Sequence, residues 1–301
     1  MHDIIIVGGG PAGLTAALYA LRAGKRVLII EKNGFGGQMT FSPKIENYPG
    51  FASVSGSELA DHMVDQVLSQ GADVTVEEVV RIEPHGAGTF NVVTDAGRYE
   101  AGAVILATGA KHRLLGVPNE TKFVGEGISF CAVCDGAFYE GKDVVVIGGG
   151  NSALQEALLL SETSKSVTVV QNLDFFTGEK KLSDLLLAKP NVIVHFGKTV
   201  KEFLGEETLS GLVICDADGN EETLLTDGVF IAIGLAPENE AFSDLVELER
   251  GYIEAEADGA TKTPGIFTAG DCRVKNVRQI ATAVSDGAIA ALAACEYLDR
   301  K

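Results

Sequence analysis

Two cysteines separated by two residues, Cys131 and Cys134, are the residues of this chain whose types and spacing best suit redox chemistry. Thiols at this spacing can close a small disulfide ring, and the carboxyl group of Asp135 follows the second sulfur directly. Because a thiolate is the working nucleophile in disulfide exchange, a neighbouring acid can handle the proton that moves when the disulfide opens. A glycine-rich, nucleotide-type unit begins soon after this pair, which indicates that electrons reach the sulfurs from a cofactor.

The cysteine pair and its acid also have simpler interpretations. A tetrahedral zinc site needs four ligands, and the sequence places no second CxxC and no paired histidines nearby, so we expect no metal. A thioredoxin-like active site is not expected between two nucleotide-type folds. Asp135 acting only as a helix or turn cap stays open as an alternative.

The N-terminal segment carries elements that would hold such a cofactor. The β-branched run Ile4–Val7 predicts a strand buried on both faces, and Gly8, Gly10 and Gly13 follow it as GxGxxG. An Ala/Leu-rich helix and a second strand ending at Glu31 come next. Such glycines permit a tight turn, close approach to a pyrophosphate and close helix–strand packing. The helix N-terminus attracts phosphate and the acid can bind a ribose, so this order of elements predicts a dinucleotide site.

The same unit recurs in the middle of the chain. Gly148, Gly150 and Ala153 give GxGxxA after a second buried strand. Gln171 follows Gly148 by 23 residues, the distance that also separates the first glycine of the N-terminal unit from Glu31. An internal repeat of a whole unit is not a chance cluster of glycines. Two such units predict two dinucleotide sites, one for a bound flavin and one for a nicotinamide.

Turn residues mark two boundaries, at Gly116–Pro118 and at Gly234–Pro237. Together with the repeated nucleotide-type unit, they predict an α/β protein of two domains, the second inserted into the first. The discontinuous domain comprises residues 1–114 and 241–301, and the inserted domain comprises residues 115–240.

Hydrophobic alternation places further elements. Val74–Ile82 is predicted as one strand, Arg98–Glu100 as another, and a separate buried strand is expected to begin at Val104. Gly287–Leu298 is predicted as an amphipathic to buried helix at the C-terminus.

Composition and charge narrow the class of protein. The formal net charge of −18 argues against nucleic acid and against anionic membrane surfaces as partners. No long apolar run is apparent and no basic segment precedes the first strand, so we expect neither a transmembrane helix nor secretion. Five cysteines with one close pair indicate a cytoplasmic redox protein. Cys215, Cys272 and Cys295 are expected to be buried structural thiols.

Together these residues resemble the low-molecular-weight thioredoxin reductases, over essentially the full length of the chain. The motifs that carry the resemblance are Gly8-x-Gly10-x-x-Gly13, Gly36-Gly37-Gln38, Asn47-Tyr48-Pro49-Gly50, Ala107-Thr108-Gly109, Cys131-x-x-Cys134-Asp135-Gly136, Gly148-Gly149-Gly150-Asn151-Ser152-Ala153, Gly270-Asp271 and Arg278-Gln279. As a set these motifs are highly specific. The resemblance implies two Rossmann-like, three-layer ββα domains and a homodimer in which the first domain holds FAD.

The resemblance also implies which residues bind FAD. Gly10 and Ala12 would lie by the pyrophosphate, and Glu31 by the adenosine ribose. Asp271 would bind the ribityl hydroxyls. The residues expected near the flavin ring or its ribityl chain are Gln38, Asn47 and Gln279. The full set is Gly8, Gly10, Pro11, Ala12, Gly13, Glu31, Gly37, Gln38, Asn47, Thr108, Gly109, Gly270, Asp271, Arg278, Gln279 and Ile280.

For the redox pair, the resemblance implies separate roles for the two sulfurs. Cys134 would face the flavin and take electrons at its C4a atom, and Cys131 would attack the disulfide of thioredoxin. Asp135 would donate and accept the proton. In this family the inserted domain rotates, bringing a nicotinamide to the flavin in one orientation and exposing the reduced cysteines to thioredoxin in the other.

The second nucleotide unit departs from the family pattern where the electron donor would be recognised. Its glycine turn is kept, and the candidate nicotinamide-type site is Gly148, Gly150, Asn151, Ser152 and Ala153. The His-Arg-Arg stretch that binds the 2′-phosphate of NADPH in the family is replaced by Gln171-Asn172-Leu173. Nor does an acid stand at Gln171 to bind the free 2′-hydroxyl of NADH.

Three electron donors and three functions therefore stay open. NADH or NADPH would bind through unfamiliar contacts, whereas reduced ferredoxin would need a docking surface such as a basic patch of Arg273, Lys275 and Arg278.

The main hypothesis is a thioredoxin-disulfide reductase acting on thioredoxin or a thioredoxin-like protein. The alternatives are a flavin disulfide reductase for another redox partner and a flavin redox sensor with little turnover.

Overall fold

Strands and helices alternate along the chain in the manner of a repeated nucleotide-binding unit. The computed structural model describes residues 1–42, 44–86 and 88–301. Its strands are β1 (His2–Val7), β2 (Val27–Glu31), β3 (Asp73–Val76), β4 (Val79–His85), β5 (Thr89–Thr94), β6 (Arg98–Leu106), β7 (Ala110–His112), β8 (Ile128–Ser129), β9 (Asp143–Ile147), β10 (Ser166–Gln171), β11 (Val192–Phe196), β12 (Thr199–Gly205), β13 (Leu209–Cys215), β14 (Glu221–Leu225), β15 (Gly228–Ile231), β16 (Leu235–Pro237), β17 (Leu248–Glu249), β18 (Tyr252–Ile253) and β19 (Ile266–Thr268). Its α-helices are α1 (Pro11–Arg22), α2 (Gly56–Ser69), α3 (Glu120–Phe123), α4 (Ala132–Asp135), α5 (Asn151–Ser161), α6 (Lys180–Leu187) and α7 (Ile280–Asp299).

The chain divides into two compact units. The first comprises Met1–Lys111 and Ala236–Lys301, and the second is His112–Leu235. Each unit contains a parallel sheet that begins with a strand, a glycine turn and a helix. The predicted fold class, α/β with two Rossmann-like units, is confirmed. The assignment of one unit to FAD and the other to a nicotinamide stays a prediction.

The first unit is built on parallel strands in the order β3-β2-β1-β6, with β19 also paired to β6. The central strands are apolar at successive positions because both of their faces are covered. Ile4 and Ile6 of β1 pack with buried residues of α1 and α7, whereas Ile5 and Val7 pack with residues of the antiparallel strands β4 and β5. The glycine turn after β1 therefore lies at the carboxyl edge of the sheet, where ligands bind in such folds.

Two predicted strand boundaries in this unit are wrong. β6 is a single strand rather than two, since its first half pairs with β5 and its second half with β1 and β19. Conversely, the segment 74–82 is divided between β3, which pairs with β2, and β4, which pairs with β5. Glu77 lies at the break, and its carboxylate accepts hydrogen bonds from the hydroxyls of Thr94 at 2.5 Å and Tyr99 at 2.6 Å. These contacts fix the chain where it passes from the parallel to the antiparallel part of the sheet.

The second unit repeats this design. Its parallel sheet has the order β11-β10-β9-β15-β8, and β12, β13 and β14 form a separate antiparallel sheet. Val144 and Val146 of β9 pack with α5, whereas Val145 and Ile147 pack with the antiparallel layer. The segment that carries Cys131 and Cys134, called the redox loop below, and the second glycine turn thus belong to the same unit.

Helix α7 is relevant to the expectation of no transmembrane helix. By length and composition alone it is apolar enough to cross a membrane, the one such helix in the described part of the chain. This is weak evidence, because a core helix of a soluble protein passes the same test. The small residues of α7 pack on α1: a Cβ at Gly287 would lie 2.2 Å from the carbonyl oxygen of Ala12. The small, apolar composition of the helix thus has a packing explanation.

Candidate functional site

The cysteine pair lies at the start of α4 in the second unit. The Sγ atoms of Cys131 and Cys134 are joined in a disulfide, and the Cα atoms are 5.3 Å apart. The backbone N–H of Cys134 donates a hydrogen bond to Sγ of Cys131 at 3.2 Å. Because an N–H donor stabilises negative charge on the sulfur that accepts it, this geometry favours Cys131 as the thiolate once the pair is reduced.

Asp135 is positioned by a residue that sequence reasoning missed. Its Oδ2 atom accepts a hydrogen bond from the Ser129 hydroxyl at 2.6 Å, and the same hydroxyl oxygen accepts one from the N–H of Cys131 at 3.1 Å. Its Oδ1 atom is shielded from solvent and has no hydrogen-bond partner within the described chain. Burial raises the pKa of the Asp135 carboxyl, and the bond from Ser129 opposes the rise. A raised pKa lets this carboxyl carry a proton at higher pH than an exposed aspartate does. A serine two residues before a cysteine gives no sequence signal of this role.

Of the three motif glycines in the first glycine turn, only one has open space beside it for a ligand. At Gly8, where φ is +110°, a Cβ would lie 2.2 Å from the carbonyl oxygen of Ala107. At Gly13 a Cβ would lie 1.9 Å from the carbonyl oxygen of Gly8. At Gly10, by contrast, the nearest protein atom to a Cβ would be the Cα of Gly37, at 3.9 Å. Gly8 and Gly13 are therefore required by protein packing, whereas the space beside Gly10 is open for a pyrophosphate at the N-terminus of α1.

Glu31 lies at the end of β2, beside this turn. Its Oε2 atom accepts a hydrogen bond from the N–H of Gly9 at 2.7 Å, and its Oε1 atom accepts one from the N–H of Asn33 at 3.0 Å. A carboxylate offers about four lone-pair positions, so capacity for ribose hydroxyls remains. A cavity of about 310 Å³ opens here, with Gly8, Glu31 and Thr108 among the residues that line it.

Asp271 is a buried acid with an unsatisfied oxygen. Its Oδ1 atom is shielded from solvent and has no hydrogen-bond partner among the residues that the structure describes. Burial raises the pKa of this carboxyl, and the nearby charges of Lys275 and Arg278 oppose the rise. Because an unpaired buried carboxyl oxygen is costly, a ligand hydroxyl that donates to it would satisfy the site. The predicted FAD residues therefore fit a dinucleotide at both Gly10 and Asp271.

Two of the residues predicted near the flavin meet in the fold. The Nδ2 atom of Asn47 donates to Oε1 of Gln279 at 3.2 Å, although 232 residues separate them. Gln279 caps the N-terminus of α7 through a reciprocal bond with Thr282, and Ile280 packs beside the buried cluster that contains Met39.

The remaining predicted residues lie on the surrounding loops. Gln38 is exposed on the turn that contains Gly37, and Pro11 and Ala12 begin α1. The guanidinium of Arg278 lies 4.2 Å from the centre of the Tyr252 ring. Gly109 has φ +71°, and Gly270 packs on α1, since a Cβ there would lie 2.7 Å from Cβ of Ala12.

Asn239 is a second residue that sequence reasoning missed. It is fully buried, and its Nδ2 atom donates to the carbonyl oxygens of Gly251 and Cys272, at 2.8 and 3.1 Å. Its Oδ1 atom accepts a hydrogen bond from the hydroxyl of Thr108 at 2.7 Å. Asn239 thus ties the Thr108 loop to the loop that presents Asp271.

In the second nucleotide unit, the side chain of Gln171 is occupied by its own loop. Its Nε2 atom donates to the carbonyl oxygen of Phe175 at 3.1 Å, and its Oε1 atom accepts from the N–H of Asn172 at 3.2 Å. The residue is buried, and a Cβ at Gly149 would lie 2.4 Å from its amide carbon. The amide that stands in place of the family's ribose-binding residue therefore stabilises the fold.

The other predicted residues of this unit frame the turn after β9. Gly148, with φ +133°, is held tightly, because a Cβ there would lie 2.5 Å from the carbonyl oxygen of Ala232. Ala153 is buried, Ser152 is exposed, and the nearest atom to a Cβ at Gly150 would be 3.8 Å away. The side chain of Asn151 accepts a hydrogen bond from the N–H of Glu179 at 2.7 Å. The second unit thus has the same type of glycine turn as the first, with a similar open space beside Gly150 as beside Gly10.

The predicted basic patch is not exposed. The side chains of Arg273 and Lys275 are each 13% exposed and face Asp286, whose carboxylate lies 3.9 Å from the first and 2.8 Å from the second. Ion pairs that are held inside the fold offer little free positive charge to a partner. Arg273 and Lys275 are therefore poorly placed to dock ferredoxin, and a docking surface at these residues stays a prediction.

Comparisons with known proteins agree with this arrangement. The family model described as pyridine nucleotide-disulphide oxidoreductase matches residues 2–287. Thioredoxin reductase of Treponema pallidum is 42% identical over 300 residues, which cover 99% of this chain and 97% of that protein. A 34.2 kDa protein in the rubredoxin operon of Clostridium pasteurianum is 40% identical over 303 residues, covering 99% of this chain and 98% of that protein. The crystal structure of thioredoxin reductase from Streptococcus pyogenes matches with a TM-score of 0.95 and 42% identity, covering 100% of this chain and 99% of that one.

The chain belongs to the pyridine nucleotide-disulphide oxidoreductase family, and within it to the thioredoxin reductases. The resemblance inferred from the sequence motifs is confirmed.

Proposed function

We propose that this chain is an FAD-dependent reductase of the disulfide of thioredoxin or a thioredoxin-like protein. The observation that carries the proposal is the Cys131–Cys134 disulfide with the buried carboxyl of Asp135 held beside it by Ser129. The names of the relatives at about 40% identity over nearly the whole chain support the same reaction. Val133, between the two sulfurs, is 65% exposed and offers apolar surface to a protein partner.

FAD is proposed to lie in the first unit, where the side chains and glycines fit it. The open space beside Gly10 would take the pyrophosphate, Glu31 the adenosine ribose, and the unpaired oxygen of Asp271 a ribityl hydroxyl. When bound there, FAD would carry two electrons from the donor to the Cys131–Cys134 disulfide.

The residues of the second unit then act on the partner's disulfide. Cys131, stabilised as a thiolate by the N–H of Cys134, attacks one sulfur of the partner and forms a mixed disulfide. Cys134 displaces the partner by closing the disulfide again, and the partner leaves as a dithiol. Asp135 holds and returns the proton that this exchange moves, because its burial keeps the acid form populated at higher pH than usual.

Electron transfer from reduced enzyme to thioredoxin tests this proposal. Purified protein is expected to be yellow, and enzyme reduced anaerobically with a stoichiometric amount of dithionite should reduce thioredoxin disulfide repeatedly as dithionite is supplied. The appearance of thioredoxin thiols, measured with a chromogenic disulfide, reports turnover. A sensor would react once and stop, and thioredoxin that stays oxidised would refute the main proposal.

Glycine substitutions test the FAD site without touching the cysteines. Gly10→Ala is expected to fold but to bind FAD at least about tenfold more weakly, since the added methyl occupies the space left for the pyrophosphate. Thermal unfolding of the apoprotein and fluorescence titration with FAD measure the two effects. Gly34→Ala is the matched control, because a Cβ there meets nothing within 4 Å. Equal FAD affinity in both variants would contradict the placement of the pyrophosphate.

We infer that NADPH is a poor electron donor for this chain. Gln171 uses its amide within its own loop. Of the two nearby lysines of α6, Lys180 is paired with Asp184 at 3.0 Å, which leaves Lys181 alone to replace the missing cations. Charged hydrogen bonds contribute roughly 1.5–3 kcal/mol each, so the loss of two weakens binding by a factor on the order of a thousand. The other candidate electron donors are NADH, bound through other contacts, and reduced ferredoxin. The homodimeric state and the cytoplasmic location stay predictions from the sequence.

A further inference from the structure

Glu156, on α5, lies beneath the redox loop. Helix α5 packs against α4, and Ala132 shares a buried cluster with Ala157 and Leu160. The backbone N–H of Ala132 faces the carboxylate of Glu156 and lowers the pKa of that group. Ala132 is the first residue of α4, and the first amides of a helix have no partner within it. The carboxylate therefore contacts the backbone of the loop between the two cysteines.

The carboxyl of Glu156 is held away from water. Its Oε2 atom is shielded from solvent and has no hydrogen-bond partner in the described part of the chain. Burial raises the pKa of Glu156 to about 7, and the N–H of Ala132 opposes the rise. Near neutral pH this group is therefore present in both ionised and neutral forms.

Other charged groups near α5 are engaged elsewhere. The titratable residues on the segments that pack against α5 are Asp135 on α4, Tyr139 in the turn that follows α4, Asp143 on β9, and Lys180, Lys181 and Asp184 on α6. Asp143 is paired with Lys165 at 2.7 Å, and Lys180 with Asp184 at 3.0 Å, both at the surface. Ionised Glu156 is thus balanced by a backbone N–H rather than by a cation, and its charge acts on the neighbouring loop.

We propose that Glu156 is a positioning residue of the redox pair, which holds Ala132 and controls through its charge how readily the reduced sulfurs become thiolates. This inference rests on the proposed function, in which the pair opens and closes in every cycle. Reduction of the disulfide takes up two electrons and two protons. One proton goes to a sulfur and one to the Glu156 carboxylate, which leaves one thiol, one thiolate and a neutral acid. When the thiolate attacks the partner and the disulfide closes again, Glu156 returns its proton, Asp135 passes on the proton of the thiol, and the partner leaves as a dithiol.

Alkylation of the reduced pair tests this role. The FAD-loaded protein is reduced with dithiothreitol, freed of it anaerobically and treated with iodoacetamide, and mass spectrometry follows Cys131 and Cys134 separately from Cys215. An ionised carboxylate disfavours a nearby thiolate, so Glu156→Gln should be alkylated about three- to tenfold faster than the wild type at about pH 8. At about pH 6 the wild-type acid is already mostly neutral, and the two rates should agree within about twofold.

The outcomes separate charge from structure. A ratio that is the same at both pH values, or no difference at either, overturns the proposal, because a purely structural change would not follow the ionisation of Glu156. Glu162→Gln, at the end of the same helix and paired with Lys189 at the surface, is the matched control and should keep the wild-type profile.

The wild-type protein provides a second test if Glu156→Gln does not fold. Its alkylation rate plotted against pH should show a lower step near pH 7 in addition to the ionisation of the thiol itself. A single step overturns the inference. Alkylation of the dithiothreitol-reduced protein needs neither thioredoxin nor the natural electron donor. A failure of thioredoxin reduction would therefore refute the proposed function, whereas the alkylation rates would still test the role of Glu156.

Discussion

Cys134→Ser is expected to remain yellow with FAD and to lose thioredoxin reduction by a factor on the order of a thousand or more. The substitution removes the sulfur that closes the Cys131–Cys134 disulfide, so the mixed disulfide with the partner cannot be resolved from within the chain. The cysteines belong to the second unit and the proposed FAD residues to the first, so flavin content should be unchanged. Turnover is measured as thioredoxin thiols formed per enzyme, and flavin content by absorbance.

A trapped intermediate makes this prediction specific. Cys131 remains in the variant, so it should form a stable covalent adduct with a thioredoxin that keeps one active-site cysteine, activated as a mixed disulfide with an aromatic thiol. The aromatic thiolate leaves, and the adduct is visible as a shifted band that dithiothreitol removes. Cys215→Ser is the matched control, since that cysteine contacts the hydroxyl of Thr199 and takes no part in the disulfide. Unchanged turnover in Cys134→Ser would refute the role given to the pair.

Introducing two arginines at Asn172 and Leu173 is expected to lower the NADPH concentration that bleaches the flavin by about ten- to a hundredfold. Both positions are exposed, so the substitutions cost little packing. They restore cations at the end of β10, where a 2′-phosphate would lie, and each charged hydrogen bond contributes roughly 1.5–3 kcal/mol before screening by solvent. Anaerobic absorbance titrations with NADPH, NADH and reduced ferredoxin in parallel measure the effect.

The pattern across the three donors decides the outcome. The wild type should bleach poorly with NADPH, and the arginine variant should gain response to NADPH and not to NADH. A variant with Leu185→Arg and Leu225→Arg adds the same charge at other exposed positions of the second unit and should behave as the wild type. Efficient bleaching of the wild type by micromolar NADPH would show that other contacts replace the missing ones.

Several parts of the fold were predictable because they depend on local order in the sequence. The strand, glycine turn and helix at Ile4–Arg22 and at Val144–Ser161 follow from β-branched runs that alternate between two buried layers. The strand boundaries around Glu77 and in β6 were not predictable in this way. There, pairing with other strands, among them β2 and β19, which are distant in the sequence, decides where a strand starts and stops.

The sequence by itself determined the chemistry available to this protein: a cysteine pair with a following acid, two glycine turns of the same spacing, and no cationic ribose-binding stretch in the second. These are statements about residue type and spacing, which local patterns carry. Only the tertiary structure decided the environment of each group. Ser129 gained its contact with the Asp135 carboxyl, Glu156 its contact with the backbone of Ala132, and Asp271 its unpaired oxygen, because folding fixed the loop conformation, packed α5 against α4 and removed water. Burial and hydrogen bonding set the pKa of a carboxyl, and neither quantity exists until the chain has packed.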